Sequence, residues 1–178
     1  MGCRMKTALI CLTTLVSVLA GFPAAAQWVA VGRWGEPEDF RFVAPGHWMV
    51  WSPARDTVEV SAEGDNHDGR LTFWCRQDAS DGGIRFSHYF GDTLAPAGGE
   101  AAQTVALVVD GQRFERRMTY DPAGRLWQTA GGLGQDFLDA FSWGTRLEVQ
   151  TDTGALVTRM GLNGSGTARG ALRRTCGL

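Results

Sequence analysis

Residues 103–127 read QTVALVVDGQRFERRMTYDPAGRLW, and this stretch decides the fold class. Successive side chains of a strand point to opposite faces, so a strand with one buried face repeats with a period of two. Gln103 to Val109 is a strand-length apolar run, and Asp110-Gly111 is a dipeptide that favours a tight hairpin turn of the primed type. Arg113 to Tyr120 returns as a second strand. Asp121-Pro122-Ala123-Gly124 then turns the chain into a third, Arg125-Leu126-Trp127.

The same signature extends in both directions from this stretch. Upstream, Trp48-Met49-Val50-Trp51 is a short strand stopped by Ser52-Pro53, and Thr57-Val58-Glu59-Val60 alternates cleanly. After the loop Asp65-Asn66-His67-Asp68-Gly69, Arg70 to Cys75 forms the next strand. Ile84 to Phe90 follows, with Ile84, Phe86, His88 and Phe90 on one side. A Gly/Pro/Ala-rich loop covers Gly91 to Ala102. Downstream, Arg146–Thr151 pairs with Ala155–Leu162 around Asp152-Thr153-Gly154. Roughly eight or nine strands at about 8–12-residue spacing predict an all-β fold, a single β-sandwich or partly open barrel. Two short helices interrupt it. Gln135 to Ser142 carries Phe137, Leu138 and Phe141 on one face and ends at Gly144. A C-terminal helix capped by Ser165 repeats Ala168, Leu172 and Cys176 at i, i+4 and i+8.

The first 26 residues have the three parts of a secretory signal. Arg4 and Lys6 supply the charge, Thr7 to Leu19 the apolar stretch, and Phe22-Pro23-Ala24-Ala25-Ala26 the cleavage region. Gly21 and Pro23 cut the apolar run below the roughly 20 residues of a membrane span. Neither Cys3 nor Cys11 lies at the cleavage site, as a lipoprotein would require. The expected product is a periplasmic or secreted domain of residues 27–178 with no stable membrane span, opening with an irregular segment over 27–47. It retains 15 of the 17 basic residues against 19 acidic ones, a formal charge of −4 with no basic block. Nucleic acid is therefore not an expected partner, because phosphate binding needs clustered positive charge.

Cys75 and Cys176 are the only cysteines left after cleavage. In an oxidising compartment they read as one disulfide, which pins the C-terminal helix to a strand. Neither has the Cys-x-x-Cys setting of a redox site.

No motif for chemistry stands out. His47, His67 and His88 lack metal-ligand spacing, and a calcium loop counted from Asp65 would place Arg76 where a bidentate Glu is needed. Residues 65–69 are better read as a hairpin turn. Gly164-Ser165-Gly166 is too short for a nucleophile elbow, since it lacks the spacer residues beside the serine, and no phosphate loop is present. The reading therefore includes no catalytic residues, no cofactor and no metal. Tryptophan is the more unusual resource, at 28, 34, 48, 51, 74, 127 and 143. Trp74 and Trp127 fit the core. Trp28, Trp34 and Trp48 are the candidate binding surface, since tryptophan is enriched in binding hot spots.

Several short motifs together resemble the invasion-associated locus B family of secreted alphaproteobacterial proteins. Gly46-His47-Trp48-Met49-Val50 is similar to the family's Gly-x-Trp-x-Val element, and Phe73-Trp74-Cys75 to its strand ending in cysteine. The series Phe137-Leu138 to Phe141, Leu147-Glu148-Val149, Gly164-Ser165 and Ala168-x-x-x-Leu172-x-x-x-Cys176 is similar to its later part. The resemblance runs from Gly46 to Cys176 through short, degenerate motifs. Where the family carries a cysteine after the Trp-x-Val element, this chain has Trp51-Ser52. The resemblance implies an exported β-sandwich without catalytic residues, linked in some members to invasion of host cells.

The function expected is thus a non-catalytic binding protein of the bacterial envelope, with a protein or envelope component as partner. One rival is a small extracytoplasmic hydrolase assembled from loops, with His88 and a carboxylate such as Asp92 in acid–base roles. Another is a small-ligand carrier, which needs an apolar interior pocket.

Overall fold

Asp110 and Gly111 take left-handed backbone angles, φ 46° and 92°, as a two-residue primed turn requires. The strands they join pair without interruption from Ala102↔Thr119 to Val109↔Gln112. This hairpin lies near the middle of the molecule. A computed structural model describes residues 45–65, 67–77, 82–88, 94 and 102–178, with residue 88 described through its backbone. The candidate signal peptide, most of the 27–47 segment, Trp28, Trp34 and Asp92 lie outside the described residues.

Among the described residues, nine strands form one antiparallel sheet. They are β1 (Met49–Ala54), β2 (Thr57–Glu63), β3 (Gly69–Arg76), β4 (Gly82–His88), β5 (Ala102–Val109), β6 (Gln112–Asp121), β7 (Leu126–Ala130), β8 (Arg146–Thr151) and β9 (Leu156–Gly161). Their order across the sheet is β1-β2-β3-β4-β7-β6-β5-β8-β9. The two ends of this sheet approach each other. Asp65 N–H, just past β2, donates to the Arg159 carbonyl of β9 at 2.8 Å. Residues 45–48 thread between the same two strands: Gly46 N–H donates to Glu63 O, Asn163 N–H to Gly46 O and Trp48 N–H to Asn163 O. The all-β class takes the form of a partly open barrel, closed at one end by these bonds.

One boundary differs from the sequence expectation. β1 runs through Ser52 and Pro53, where a stop was expected. The register shifts between Trp51 and Ala54, so Pro53 lies in an irregularity of an edge strand, where its missing N–H breaks no regular ladder.

The inner face follows the alternation. Val58, Val60 and Ala62 of β2, Leu71, Phe73 and Cys75 of β3, and Ile84 and Phe86 of β4 are all buried. Helix α1 (Gln135–Trp143) adds Phe137, Leu138 and Phe141 to this core, as their helical spacing predicted. Phe73 stacks on Trp48 at 4.9 Å and meets Phe137 and Phe141 edge-on at 5.3 and 5.1 Å. Such ring contacts contribute about 0.5–1.5 kcal/mol each beyond the area they bury. The Trp127 indole N–H donates to the Leu94 carbonyl at 3.0 Å, so this core tryptophan leaves no polar group unpaired.

Helix α2 (Ser165–Cys176) packs Ala168 and Leu172 inward, and Cys176 is bonded to Cys75 across 101 residues of sequence. Ser165 does not cap it. The cap position is Gly164 at φ 85°, and the Ser165 hydroxyl donates instead to the Ser142 carbonyl of α1 at 3.4 Å. A Cβ at position 164 would lie 3.0 Å from the Trp48 carbonyl oxygen, so both the backbone angle and the close approach favour glycine.

Candidate functional site

The outer face of the barrel carries the residues that the core alternation turns away from it. On β3, Phe73 and Cys75 point inward, so Trp74 between them points outward and is half-buried. The expectation that Trp74 joins Trp127 in the core is corrected by that parity. Cys75 must face inward to reach α2, which leaves its neighbour no choice. The parity could have been read from the sequence once the disulfide was assigned.

Strand register assembles two rows on this outer face. One runs Trp51, Glu59, Trp74, Gly83 and Ala130 across β1, β2, β3, β4 and β7. The next runs Ser61, Thr72, Arg85, Gln128 and Thr119 across β2, β3, β4, β7 and β6. Both tryptophans are stacked by arginine. The Arg85 guanidinium sits 4.5 Å from the Trp74 ring centroid, and Arg70 sits 5.2 Å from that of Trp51. Arg85 also pairs with Glu59 at 3.2 Å, and Arg70 donates to Ser61, whose hydroxyl shares a 2.9 Å hydrogen bond with Thr72. These contacts hold the Arg70 and Arg85 guanidiniums, and through them the indoles, in place. Guanidinium–indole stacking of this kind is worth about 0.5–2 kcal/mol.

Beyond Trp74 the face dips. Gly83 and Ala130 contribute almost no side chain, and a depression of about 400 Å³ opens among Trp74, Arg117, Thr119, Gln128, Thr129 and Ala130. Gly83 is also required structurally, because a Cβ there would fall 2.1 Å from the Thr129 carbonyl oxygen. Among the described residues, the side chains of Arg117, Thr119 and Gln128 and the Trp74 indole N–H have no hydrogen-bond or ionic partner.

A second depression, of about 670 Å³, lies over β5 and β8 and is lined by Asp110, Arg113 and Arg146 among others. Much of its polar lining is already committed to holding the fold. Asp110 accepts from the Thr145 backbone N–H at 2.8 Å, the Thr145 hydroxyl at 2.9 Å and the Arg146 N–H at 3.0 Å. Those bonds, the Thr145 backbone bond foremost, hold its carboxyl below the usual carboxylate range. Arg113 is spent on Glu115, Gln150 and the carbonyls of Thr151 and Asp152.

Of the expected binding surface, Trp48 is corrected. It is 4% exposed, stacked on Phe73 and edge-on to Phe141, and its indole N–H donates to the Gly161 carbonyl at 3.1 Å. Its ring is a core element and offers no surface. Trp28 and Trp34 lie outside the described residues. Among the described residues, the exposed tryptophan is Trp143, 86% accessible at the end of α1. His47 is exposed and its backbone bridges to Asn163. His67 closes the β2–β3 hairpin with φ 57°, its Nδ1 2.7 Å from the buried Glu63 carboxylate. His88 ends β4, with its side chain outside the description, so the rival acid–base pair with Asp92 has no geometry here.

Among the described residues, no group of three His, Cys, Asp or Glu side chains is placed to hold a metal ion, and no helix is long and apolar enough to cross a membrane. No protein-family model, curated protein or solved structure matches the chain.

Proposed function

We propose that this chain is an exported, non-catalytic binding protein of the bacterial envelope that engages its partner through the tryptophan and arginine face of the sheet. The observation that carries this reading is the pairing of Trp51 with Arg70 and Trp74 with Arg85 on an outer face. Strand positions that face water ordinarily carry small polar or charged residues. Large indoles there gain only part of the roughly 1.5–3 kcal/mol that full burial of a large apolar side chain supplies. A flat, immobilised aromatic ring beside guanidinium groups is what binding hot spots use, because little side-chain freedom remains to be lost on association.

Three further considerations support export and the absence of chemistry. Residues 1–26 have the composition of a cleavable signal. The Cys75–Cys176 disulfide is of the kind that forms and persists in oxidising compartments and is rare in the cytosol. The resemblance to the invasion-associated locus B family implies the same compartment and no catalytic residues.

The test is affinity capture of the tagged, oxidised chain from envelope extract of its source organism, alongside fractionation of cells expressing it. The expected result is a processed chain outside the cytoplasm and a partner captured by wild type and by Trp143→Ala but lost with Trp51→Ala plus Trp74→Ala. Retention in the cytoplasm would overturn export, and capture indifferent to the two face tryptophans would overturn the choice of surface.

A further inference from the structure

We infer that the depression between Trp74 and Arg117 is a subsite for an acidic sugar, one uronic-acid residue of a glycan. This deepens the proposed binding role of the same face and rests on it. On the outer face, Trp74 is followed across the sheet by Gly83 and then Ala130, and the next strand contributes Arg117, two residues before Thr119. Trp74 and Arg117 therefore stand three strand spacings apart, roughly 14 Å. Only glycine and alanine lie between them along that row. The result is a slot with an aromatic wall, a cationic wall and a nearly bare floor, of about 400 Å³. Natural small-molecule sites begin at about 300 Å³.

The chemistry of the lining selects the ligand. An indole face matches the flat row of C–H groups on one side of a pyranose ring. Trp74 is suited to that use because Arg85, itself held by Glu59, fixes its orientation. Gln128 and Thr119 offer donors and acceptors that no described side chain or backbone group takes up, and the Trp74 indole N–H is a further free donor. These suit ring hydroxyls, each of which both donates and accepts. Arg117 is exposed and uncommitted, and its planar fork matches a single carboxylate. A phosphate-rich ligand fits less well, because the neighbouring Arg85 is already spent on Glu59 and Trp74. An apolar peptide fits less well still, because hydrophobic burial would strand four unsatisfied polar groups. The slot is shallow and open along the sheet, so it suits one residue within a longer chain. A single-residue contact is expected to bind with Kd on the order of 1 mM.

The experiment is a two-dimensional ¹⁵N NMR titration of the oxidised chain, following the indole N–H resonances of Trp74 and Trp143. The probes are a trigalacturonate and its methyl ester, which differ at the carboxyl groups alone, charged in one and neutral and methylated in the other. Wild type is expected to shift the Trp74 resonance with the acid, with Trp143 unmoved, and to bind the ester about tenfold more weakly. Arg117→Gln, an exposed substitution, is expected to abolish the preference for the acid while retaining ester binding. Gln128→Ala is expected to weaken both probes equally. Trp74→Ala removes the reporter and the ring on which Arg85 packs, so the case rests on the two exposed variants. No Trp74 shift with either probe overturns the sugar assignment, and equal binding of acid and ester overturns the role of Arg117. If capture by the tryptophan face succeeds while both probes fail, the binding role stands and the ligand class is wrong. If capture fails while the acid binds, the protein-partner version of that role is what falls.

Discussion

The disulfide offers the sharpest test of how the fold is held. Cys75 is 1% exposed on the inner face of β3, and Cys176 ends α2, so the bond spans 101 residues. Closing a loop of that length removes denatured-state entropy worth about 4.7 kcal/mol in the chain-entropy model. For a domain of this size each kcal/mol moves Tm by about 2–4 °C, so removal of the bond lowers Tm by roughly 10–20 °C. The right variant is Cys75→Ala with Cys176→Ala. Serine at 75 would bury an unpaired hydroxyl and add a second penalty. Thermal and urea unfolding of this variant, compared with reduced wild type, separates the loss of the link from any side-chain effect. The native fold should persist, because Ala168, Ala171 and Leu172 keep α2 packed on the core without the bond. Near-UV circular dichroism in native buffer should therefore be unchanged. A Tm fall under about 3 °C in both samples would refute the entropic argument. A native-buffer spectrum that collapses on reduction would refute the claim that packing alone seats α2.

Three other predictions address single residues. Trp48→Ala should cost about 3–5 kcal/mol in urea unfolding, since it empties a ring site between Phe73 and Phe141; a cost near zero would restore Trp48 as a surface residue. Asp110→Asn should destabilise by about 0.5–1.5 kcal/mol at neutral pH, at the low end because the carboxylate is exposed to solvent. Since the Asp110 pKa is lowered in the fold, its contribution is complete above the unfolded value of about 3.9 and disappears as pH falls through the folded value. The Tm gap between wild type and variant should therefore start to narrow below about pH 4 and close once pH has fallen past the folded value, and a gap constant from pH 7 to pH 3 would contradict this. Gly83→Ala should cost about 1–3 kcal/mol, because its Cβ meets the Thr129 carbonyl and pushes β4 from β7; unchanged unfolding would mean that this pairing is looser than described.

The alternation and turn chemistry of residues 103–127 made β5, β6 and β7 readable, and the apolar spacing of Phe137, Leu138 and Phe141 made α1 readable. Both are local signals. The closure of the sheet was not readable, because it depends on backbone bonds from Gly46 and Trp48 to Asn163, more than a hundred residues away and with no side-chain pattern to announce them. The β4–β7 pairing is non-local in the same way, and without it Gly83 and Ala130 have no reason to be neighbours. Trp48 was misread because Met49 and Val50 beside it are exposed, while its own ring turns inward before β1 begins. Trp74 was misread for the opposite reason. Its surroundings in sequence are apolar, yet its parity with Cys75 sends it outward. At Trp48 hydrophobicity was visible and direction was not; at Trp74 the direction followed from the inward-facing Cys75 of the disulfide.

This division of faces has a consequence for how binding and stability are linked. Both described helices and the disulfide serve the inner face: α1 through its three apolar side chains, α2 through Leu172 and the bond to Cys75. Arg117, Thr119 and Gln128 are exposed on the other face and hold nothing else in place. Substitutions there are expected to stay within about ±0.5 kcal/mol in stability. Losses of binding at these positions can then be read as recognition and not as unfolding. Trp74 differs from them because Arg85 and, through it, Glu59 lean on its ring. Changing the indole therefore perturbs three strands at once. Its removal should cost both stability and binding, whereas Arg117→Gln should cost binding alone. A stability loss at Arg117 equal to that at Trp74 would mean that the outer face is held together as one network, and the separation argued here would fail.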